Sequence, residues 1–169
     1  MESGRGLIEA KSPNAQLAIC IPFSIAGMQS ANKVFYRMIA KKSPGGSIFP
    51  YYYKNGELFG AHYESFTRKE QQLLERMKAE EDFFIRQNHS LPYWVNFYGT
   101  HLSDTVIKEF IQSLNRLQRY IPKLAIVGCS VFDKWRLEYA RKRTGLNIPI
   151  RYFRDPEDAK TWLVSEVFS

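Results

Sequence analysis

Hydrophobic and polar positions change their spacing several times along the chain, and each change predicts a new element of secondary structure. The first clear elements are two aromatic-rich runs, Tyr51–Tyr53 and Leu58–Tyr63, on either side of the connection Lys54-Asn55-Gly56-Glu57. Because Asn-Gly between two such runs is a strong signal for a tight turn, this segment predicts a β-hairpin.

A long amphipathic helix is predicted next, over residues 68–87. Thr67 stands three residues before Glu70, which is the spacing of a capping box at a helix start. Apolar residues then recur at intervals of three and four, with charged residues between them. We therefore expect one face of this helix to pack and the other, which includes Glu80 and Glu81, to face solvent.

Short apolar runs alternate with helical patterns in the rest of the chain. Tyr93–Tyr98 and Leu124–Gly128 are the least polar runs and predict inner strands that are covered on both faces. A last strand is predicted over Ile148–Phe153. Because Pro149 has no N–H to donate to a ladder, it indicates either an edge strand or the start of a strand.

Three further helices are predicted between and after these strands. They begin at Ser103 or Asp104, near Phe132, and at Asp155-Pro156, where an Asp cap precedes a proline in the first turn. A hairpin followed by alternating helices and strands predicts an α/β fold. Its sheet is expected to be mixed, partly parallel and four- to five-stranded, with flanking helices.

Two domain segments follow from this pattern. Residues 1–45 are predicted to form an N-terminal arm that is partly flexible and carries a short helix over residues 30–42. Residues 46–169 are predicted to form the α/β domain, which begins after the helix-breaking segment Ser43-Pro44-Gly45-Gly46.

Composition indicates a folded intracellular protein. The hydrophobic share is 44%, and the apolar run Leu17–Met28 is twelve residues long, whereas a membrane-spanning helix needs about 20. Cys20 and Cys129 form neither a close pair nor a disulfide framework, so reduced thiols and a cytoplasmic location are expected. The net charge of +7 favours acidic partners, which include proteins, anionic lipids and nucleic acids.

No motif for a cofactor, metal or catalytic centre stands out. The glycine-rich loops that bind dinucleotides and nucleotide triphosphates are missing, and the three histidines lack the spacing of a helical metal pair. Cys129 follows a predicted buried strand, where it is either a reactive thiol or simply a buried apolar residue, and the second interpretation is favoured. We expect no catalytic residues, no cofactor and no metal.

The turn between the strand at residues 93–98 and the next helix is the first candidate site. Sites in open α/β sheets collect at the carboxyl ends of strands, and this turn contains Gly99, Thr100, Ser103 and Asp104. The hydroxyl groups of Thr100 and Ser103 could carry a phosphate near a helix N-terminus. The alternative is that Ser103 or Asp104 is only the helix N-cap.

The second candidate site is a basic helix marked by Phe132, Trp135 and Tyr139. Between residues 116 and 154, ten basic side chains stand against two acidic ones. This helix is either an anion- or partner-binding face or a solvated helix surface. Its candidate residues are Lys134, Arg136, Arg141, Lys142 and Arg143.

From Tyr51 to Glu166 the chain resembles STAS-like domains of the bacterial STAS/SEC14-like branch, which is related to anti-sigma-factor antagonists. The segments that carry this resemblance are YYYKNGELFGAHY, YWVNFYGTHLSDTVIKEF, KLAIVGCS and IRYFRDPEDAKTWLVS. The resemblance implies a domain that binds other proteins, is regulated by serine phosphorylation, and in some members accepts nucleotides or lipids. Ser103 is the nearest match to the phosphorylated serine, although no glycine follows it here.

We therefore expect a non-catalytic, intracellular interaction domain whose partner is another, acidic protein. A carrier or sensor of a small lipid-like molecule is the alternative, and a non-specific nucleic-acid binder is the third hypothesis. Helices that follow neighbouring parallel strands begin at the same sheet edge, so the turn Gly99–Asp104 and the basic helix are expected to lie together, with Ser103 near Lys134.

Overall fold

The computed structural model describes residues 41–165. Its strands are β1 (Lys41–Lys42), β2 (Ile48–Phe49), β3 (Tyr51–Tyr53), β4 (Gly56–His62), β5 (Tyr93–Asn96), β6 (Leu124–Val127) and β7 (Ile150–Phe153). Its helices are α1 (Glu70–Gln87), α2 (Asp104–Leu117), α3 (Val131–Lys142) and α4 (Pro156–Val164).

The predicted α/β class is confirmed. A five-stranded sheet has the order β3-β4-β5-β6-β7, in which β3 is antiparallel to β4 and the remaining neighbours are parallel. The two runs expected inside the sheet, β5 and β6, occupy its inner positions, and β7 is an edge strand as expected. Within the described residues, no helix is long and apolar enough to cross a membrane.

The predicted hairpin is present, and its turn lies within the predicted connection. Tyr53 pairs with Gly56, so the two turn residues are Lys54 and Asn55. Lys54 adopts the positive φ of 51° that this turn requires.

Most of the predicted N-terminal arm lies outside the described residues, as do residues 30–40 of its short helix. Lys41 and Lys42, the last residues of that predicted helix, form strand β1 and pair with Phe49 and Ile48 of β2. The end of the arm is therefore extended, because it pairs with the strand just before the hairpin.

The sheet separates two hydrophobic clusters of unequal size. Side chains alternate along a strand, so Tyr93 and Val95 face the larger cluster under α1, α2 and α3, while Trp94 faces the smaller one under α4. On the larger side the rings of Phe59 and Phe84 stack at a centroid distance of 5.1 Å. Three helices thus cover one face, and the nine-residue α4 covers the other.

The capping box predicted at Thr67 and Glu70 is wrong. Helix α1 begins after Lys69 without a side-chain cap, and the Thr67 hydroxyl instead donates to the carbonyl oxygen of Gly99 at 2.6 Å. The hydroxyl therefore holds together two loops that are far apart in sequence, which is a tertiary contact that local spacing cannot reveal.

The expectation that Glu80 and Glu81 face solvent is also wrong, since both are buried. The Nε–H group of Arg116, on α2, donates a hydrogen bond to Glu81 Oε1 at 2.5 Å, and the guanidinium group thereby neutralises the carboxylate.

Glu80 Oε1 accepts hydrogen bonds from the Ser43 hydroxyl, at 2.8 Å, and from the Gly45 amide. Its second oxygen, Oε2, has no hydrogen-bond partner among the described residues, and burial raises the pKa of this carboxyl group.

Replacement of Glu80 tests this buried contact. Because the folded protein retains the Glu80 proton to higher pH than the unfolded chain, its contribution to stability is full below the ordinary pKa of 4.5 and decreases as pH rises above it. Glu80→Gln should remove this pH-dependent loss and keep the hydrogen bonds, whereas Glu80→Ala should cost about 1–3 kcal/mol by removing the acceptor. Urea unfolding between pH 4 and pH 8 measures both effects. Parallel pH profiles for the wild type and Glu80→Gln would contradict this interpretation.

Candidate functional site on helices α2 and α3

The turn after β5 is held by hydrogen bonds within the domain. Gly99 has a φ of 63°, and the Thr100 hydroxyl accepts a hydrogen bond from the Phe66 amide at 3.0 Å and donates one to the Tyr63 carbonyl. Gly128, after β6, has a φ of 81° and lies so close to the backbone of Tyr98 that a Cβ atom would overlap it. The two loops at the carboxyl ends of β5 and β6 are therefore tightly packed together.

Ser103 is the N-cap of α2, and its hydroxyl oxygen accepts a hydrogen bond from the Val106 amide at 3.2 Å. Asp104, whose side chain is 98% exposed, forms an ion pair at 2.6 Å with Arg136 of α3. The same guanidinium group donates to the carbonyl oxygen of Leu102. The predicted turn and the basic helix thus lie together, and Arg136 is the residue that connects them.

The other predicted basic residues have different surroundings. Lys134 Nζ lies 5.0 Å from the ring centroid of Tyr152, on β7, and Arg141 forms an ion pair with Glu138 at 2.9 Å. Lys142 and Arg143 are exposed at the end of α3. The guanidinium group of Arg143 lies 5.5 Å from the ring centroid of Tyr139.

An aromatic ladder, made of Phe132, Trp135 and Tyr139, runs along the exposed side of α3. The three side chains are 64%, 62% and 55% exposed. Trp135 stacks against Phe132 and Tyr139 at centroid distances of 6.0 Å, with interplanar angles of 24° and 20°. Because these neighbours stand three residues before and four residues after Trp135, they lie one helical turn to either side of it.

An open groove of about 900 Å³ lies between α2 and α3, beside the aromatic ladder. We name it the α2–α3 groove. Its aliphatic lining consists of Ile107 and Ile111, which are buried, and Ala140, which is half-buried. The charged lining residues are Asp104, Lys108, Arg136 and Arg143. The groove therefore combines an aromatic wall, an apolar lining and a mostly basic rim.

The exposure of the ladder could not be predicted from the sequence. Positions 132, 135 and 139 have the same i, i+3, i+7 spacing as a face that packs into a core. Helix α3 buries Leu137 instead, which points away from the ladder. The one available signal was that Arg136 and Arg143 stand four residues after Phe132 and Tyr139, on the same side of the helix, since charges are seldom placed on a buried face.

Residues 41–165 contain neither a cluster of metal-ligating side chains nor an activated Cys129 thiol. No group of three or more His, Cys, Asp or Glu side chains in this part of the chain is placed to hold a metal ion. Burial, together with the nearby carboxylate of Asp133, raises the pKa of the Cys129 thiol to about 12. A thiol with this pKa is almost entirely protonated at neutral pH and is a poor nucleophile.

Substitutions around the turn should separate its cap from its ion pair. Ser103→Ala should cost about 1 kcal/mol of unfolding free energy, and Ser103→Asp should restore most of it, because Asp also caps helices well.

Arg136→Gln should cost about 1–3 kcal/mol by removing charged donors from the carbonyl oxygen of Leu102, whereas Asp104→Asn should cost less than about 1 kcal/mol because its side chain is exposed. Chemical denaturation measures all four variants, and equal losses for Arg136→Gln and Asp104→Asn would contradict this assignment.

The raised pKa of Cys129 predicts slow alkylation. In a Cys20→Ser background, iodoacetamide should modify Cys129 at pH 7.5 at least about tenfold more slowly than it modifies a free cysteine peptide, because little thiolate is present. Mass spectrometry follows the reaction, and the denatured variant provides the control. Labelling as fast as that of the peptide would show that the thiol is accessible and that its pKa is not raised.

Comparisons with known proteins leave the resemblance without independent support. No protein-family model, no curated protein and no solved structure matches the chain. The likeness to STAS-like domains therefore remains a prediction from the sequence motifs.

Proposed function

We propose that this chain is a non-catalytic, STAS-like interaction domain that binds another protein through the α2–α3 groove and the aromatic ladder. The observation that carries the proposal is the exposure of three stacked rings on one helix of an otherwise well-packed domain. Trp, Tyr and Arg are the residues most enriched at the energetic centres of protein interfaces.

The energetics favour burial of the ladder by a partner. Transfer of an aromatic side chain from water into an apolar contact contributes about 1.5–3 kcal/mol when burial is complete. More than half of each ring is available for this, and Val131, one turn before Trp135, is 84% exposed. A partner that covers these side chains gains several kcal/mol, while their mutual stacking already limits the entropy that binding would cost.

Two features favour binding over catalysis. The hydroxyl groups of Thr100 and Ser103 already take part in hydrogen bonds to the backbone, and the Cys129 thiol has a pKa shifted away from neutrality. A general base or nucleophile works best with a pKa near the operating pH. The ladder, in contrast, presents apolar area without a reactive group at its centre.

A carrier of a small lipid-like molecule is the second candidate function. The groove volume of about 900 Å³ lies within the range of about 300–1,000 Å³ that small-ligand pockets occupy. Its aliphatic and aromatic lining would suit an apolar ligand. The groove is open to solvent along the ladder, however, and this openness favours a macromolecular partner that can cover all three rings.

Affinity capture with matched variants tests the proposal. We expect the wild-type chain and the control Ile48→Ser to capture the same proteins from a lysate of its source cells, because Ile48 is exposed but lies outside the groove. Trp135→Ser should reduce that capture at least about tenfold, as loss of a central aromatic residue does at other interfaces. Circular dichroism should show that both variants are folded.

After nuclease treatment, mass spectrometry identifies the captured proteins and the lipids extracted with them. Proteins retained equally by the wild type and Trp135→Ser would contradict the proposal. A lipid that co-purifies with the wild type, and is lost with Trp135→Ser while protein capture is unchanged, would favour the carrier function instead.

A further inference from the structure

From the lining and charge of the α2–α3 groove, we infer that its occupant is an acidic amphipathic α-helix of the partner protein. The apolar side of that helix would fill the groove beside Phe132, Trp135 and Tyr139, and its carboxylates would face the basic rim. This inference rests on the proposed protein-binding function and specifies the class of partner.

The dimensions of the groove match a short helix. The ladder spans eight residues of α3, from Phe132 to Tyr139, a rise of about 10 Å, which is close to two turns of a partner helix lying alongside. Ile107 and Ile111 stand one turn apart on α2 and form the opposite apolar surface. Helices that dock in such grooves insert side chains at i, i+3 or i+4, and i+7, which is the spacing available here.

The charges of the rim select an acidic partner. Lys108, Arg136 and Arg143 line the groove, Asp104 is the acidic residue in its lining, and Arg136 already pairs with two carboxylates, those of Asp104 and Asp133. This leaves a net positive rim on a chain whose overall charge is +7. A second copy of the chain would bring the same positive surface into contact with itself, and such like-charge contacts oppose association.

The geometry of the ladder disfavours nucleic acid. Bases bind to exposed aromatic side chains by stacking on free ring faces. Trp135 has Phe132 and Tyr139 stacked one turn to either side, and the guanidinium groups of Arg136 and Arg143 lie 5.5 Å from the centroids of Phe132 and Tyr139. The ladder therefore offers mainly ring edges, which suit aliphatic side chains better than bases.

The shape of the site also disfavours a membrane surface. Ile107 and Ile111, on the side of the groove opposite the ladder, are only 5% and 3% exposed, so a protruding side chain can reach them and a bilayer surface cannot. Interfacial helices bind membranes with an apolar face that is their outermost surface. Here Ile107 and Ile111 are recessed relative to the exposed rings.

A displayed peptide library provides the test. The probe is a set of 16-residue helical peptides in which one face varies among Leu, Ile, Met and Phe and the remaining positions vary among Ala, Gln, Glu and Lys. Selection against the full chain should enrich peptides with an apolar stripe and more Glu than Lys. Binding of an enriched synthetic peptide should weaken at least about tenfold with Trp135→Ser, as expected for a central aromatic contact.

Charge reversal makes the test specific for the rim. Lys108→Glu should weaken the same peptide, and exchanging one Glu of the peptide for Lys should restore part of the lost affinity. Lys78→Glu is the matched control, because it makes the same charge change on α1, outside the groove, and should leave the affinity unchanged. Circular dichroism should confirm that all variants are folded.

Other results overturn the inference. Lys-rich or extended peptides among the enriched clones, or no clone that depends on Trp135, would exclude an acidic helix. Trp135-dependent binding to phosphatidylserine vesicles or to a dT oligonucleotide, with no peptide enriched, would assign the site to a membrane or to nucleic acid. If lysate proteins are still captured in a Trp135-dependent way, the helix inference alone fails; if they are not, the proposed function fails with it.

Discussion

The burial of β5 and β6 between two unequal layers of helices is the constraint on which the rest of the structure depends. Both strands are apolar on both faces, so each face must be covered. Helix α4 covers one face, and α1 and α2 cover most of the other. Because β7 is the edge strand, α3 packs at the margin of this layer and has little of the sheet left to cover.

The marginal position of α3 explains why it carries the exposed rings. Helix α2 buries seven residues, whereas α3 buries Leu137 and keeps its place through the hydrogen bonds of Arg136 to the β5–α2 turn. The aromatic ladder therefore does not stabilise the core. Its side chains stack on one another and leave apolar area next to a groove, which is a typical arrangement at a binding surface.

The order of the elements could be predicted because each local signal agreed with the tertiary structure. The Asp155-Pro156 start of α4 and the apolar runs of β5 and β6 are determined by neighbouring residues, and the structure has them where they were expected. The capping box at Thr67 was wrong because its hydroxyl serves a loop 32 residues away. The burial of Glu80 likewise depends on a remote segment, at Ser43.

The candidate site was predictable only in part, for a related reason. The sequence indicates that the β5–α2 turn and the basic helix meet, because parallel strands place these loops at one edge of the sheet. It does not indicate which basic residue makes the contact, and a ladder at i, i+3, i+7 has the same pattern whether it packs into a core or faces solvent. Exposure depends on where α3 lies in the layer, which is a property of the whole fold.

Solvent access to Trp135 in the free chain decides whether the aromatic ladder is an open binding surface. With 5-fluorotryptophan incorporated, Trp135 can be assigned in the ¹⁹F spectrum through a Trp135→Phe variant and compared with Trp94, which is 8% exposed. We predict a large shift of the Trp135 resonance, and a small shift of the Trp94 resonance, when H₂O is exchanged for D₂O. A Trp135 resonance as insensitive to this exchange as that of Trp94 would show that the ladder is covered in the free chain and would contradict its role as an open binding surface.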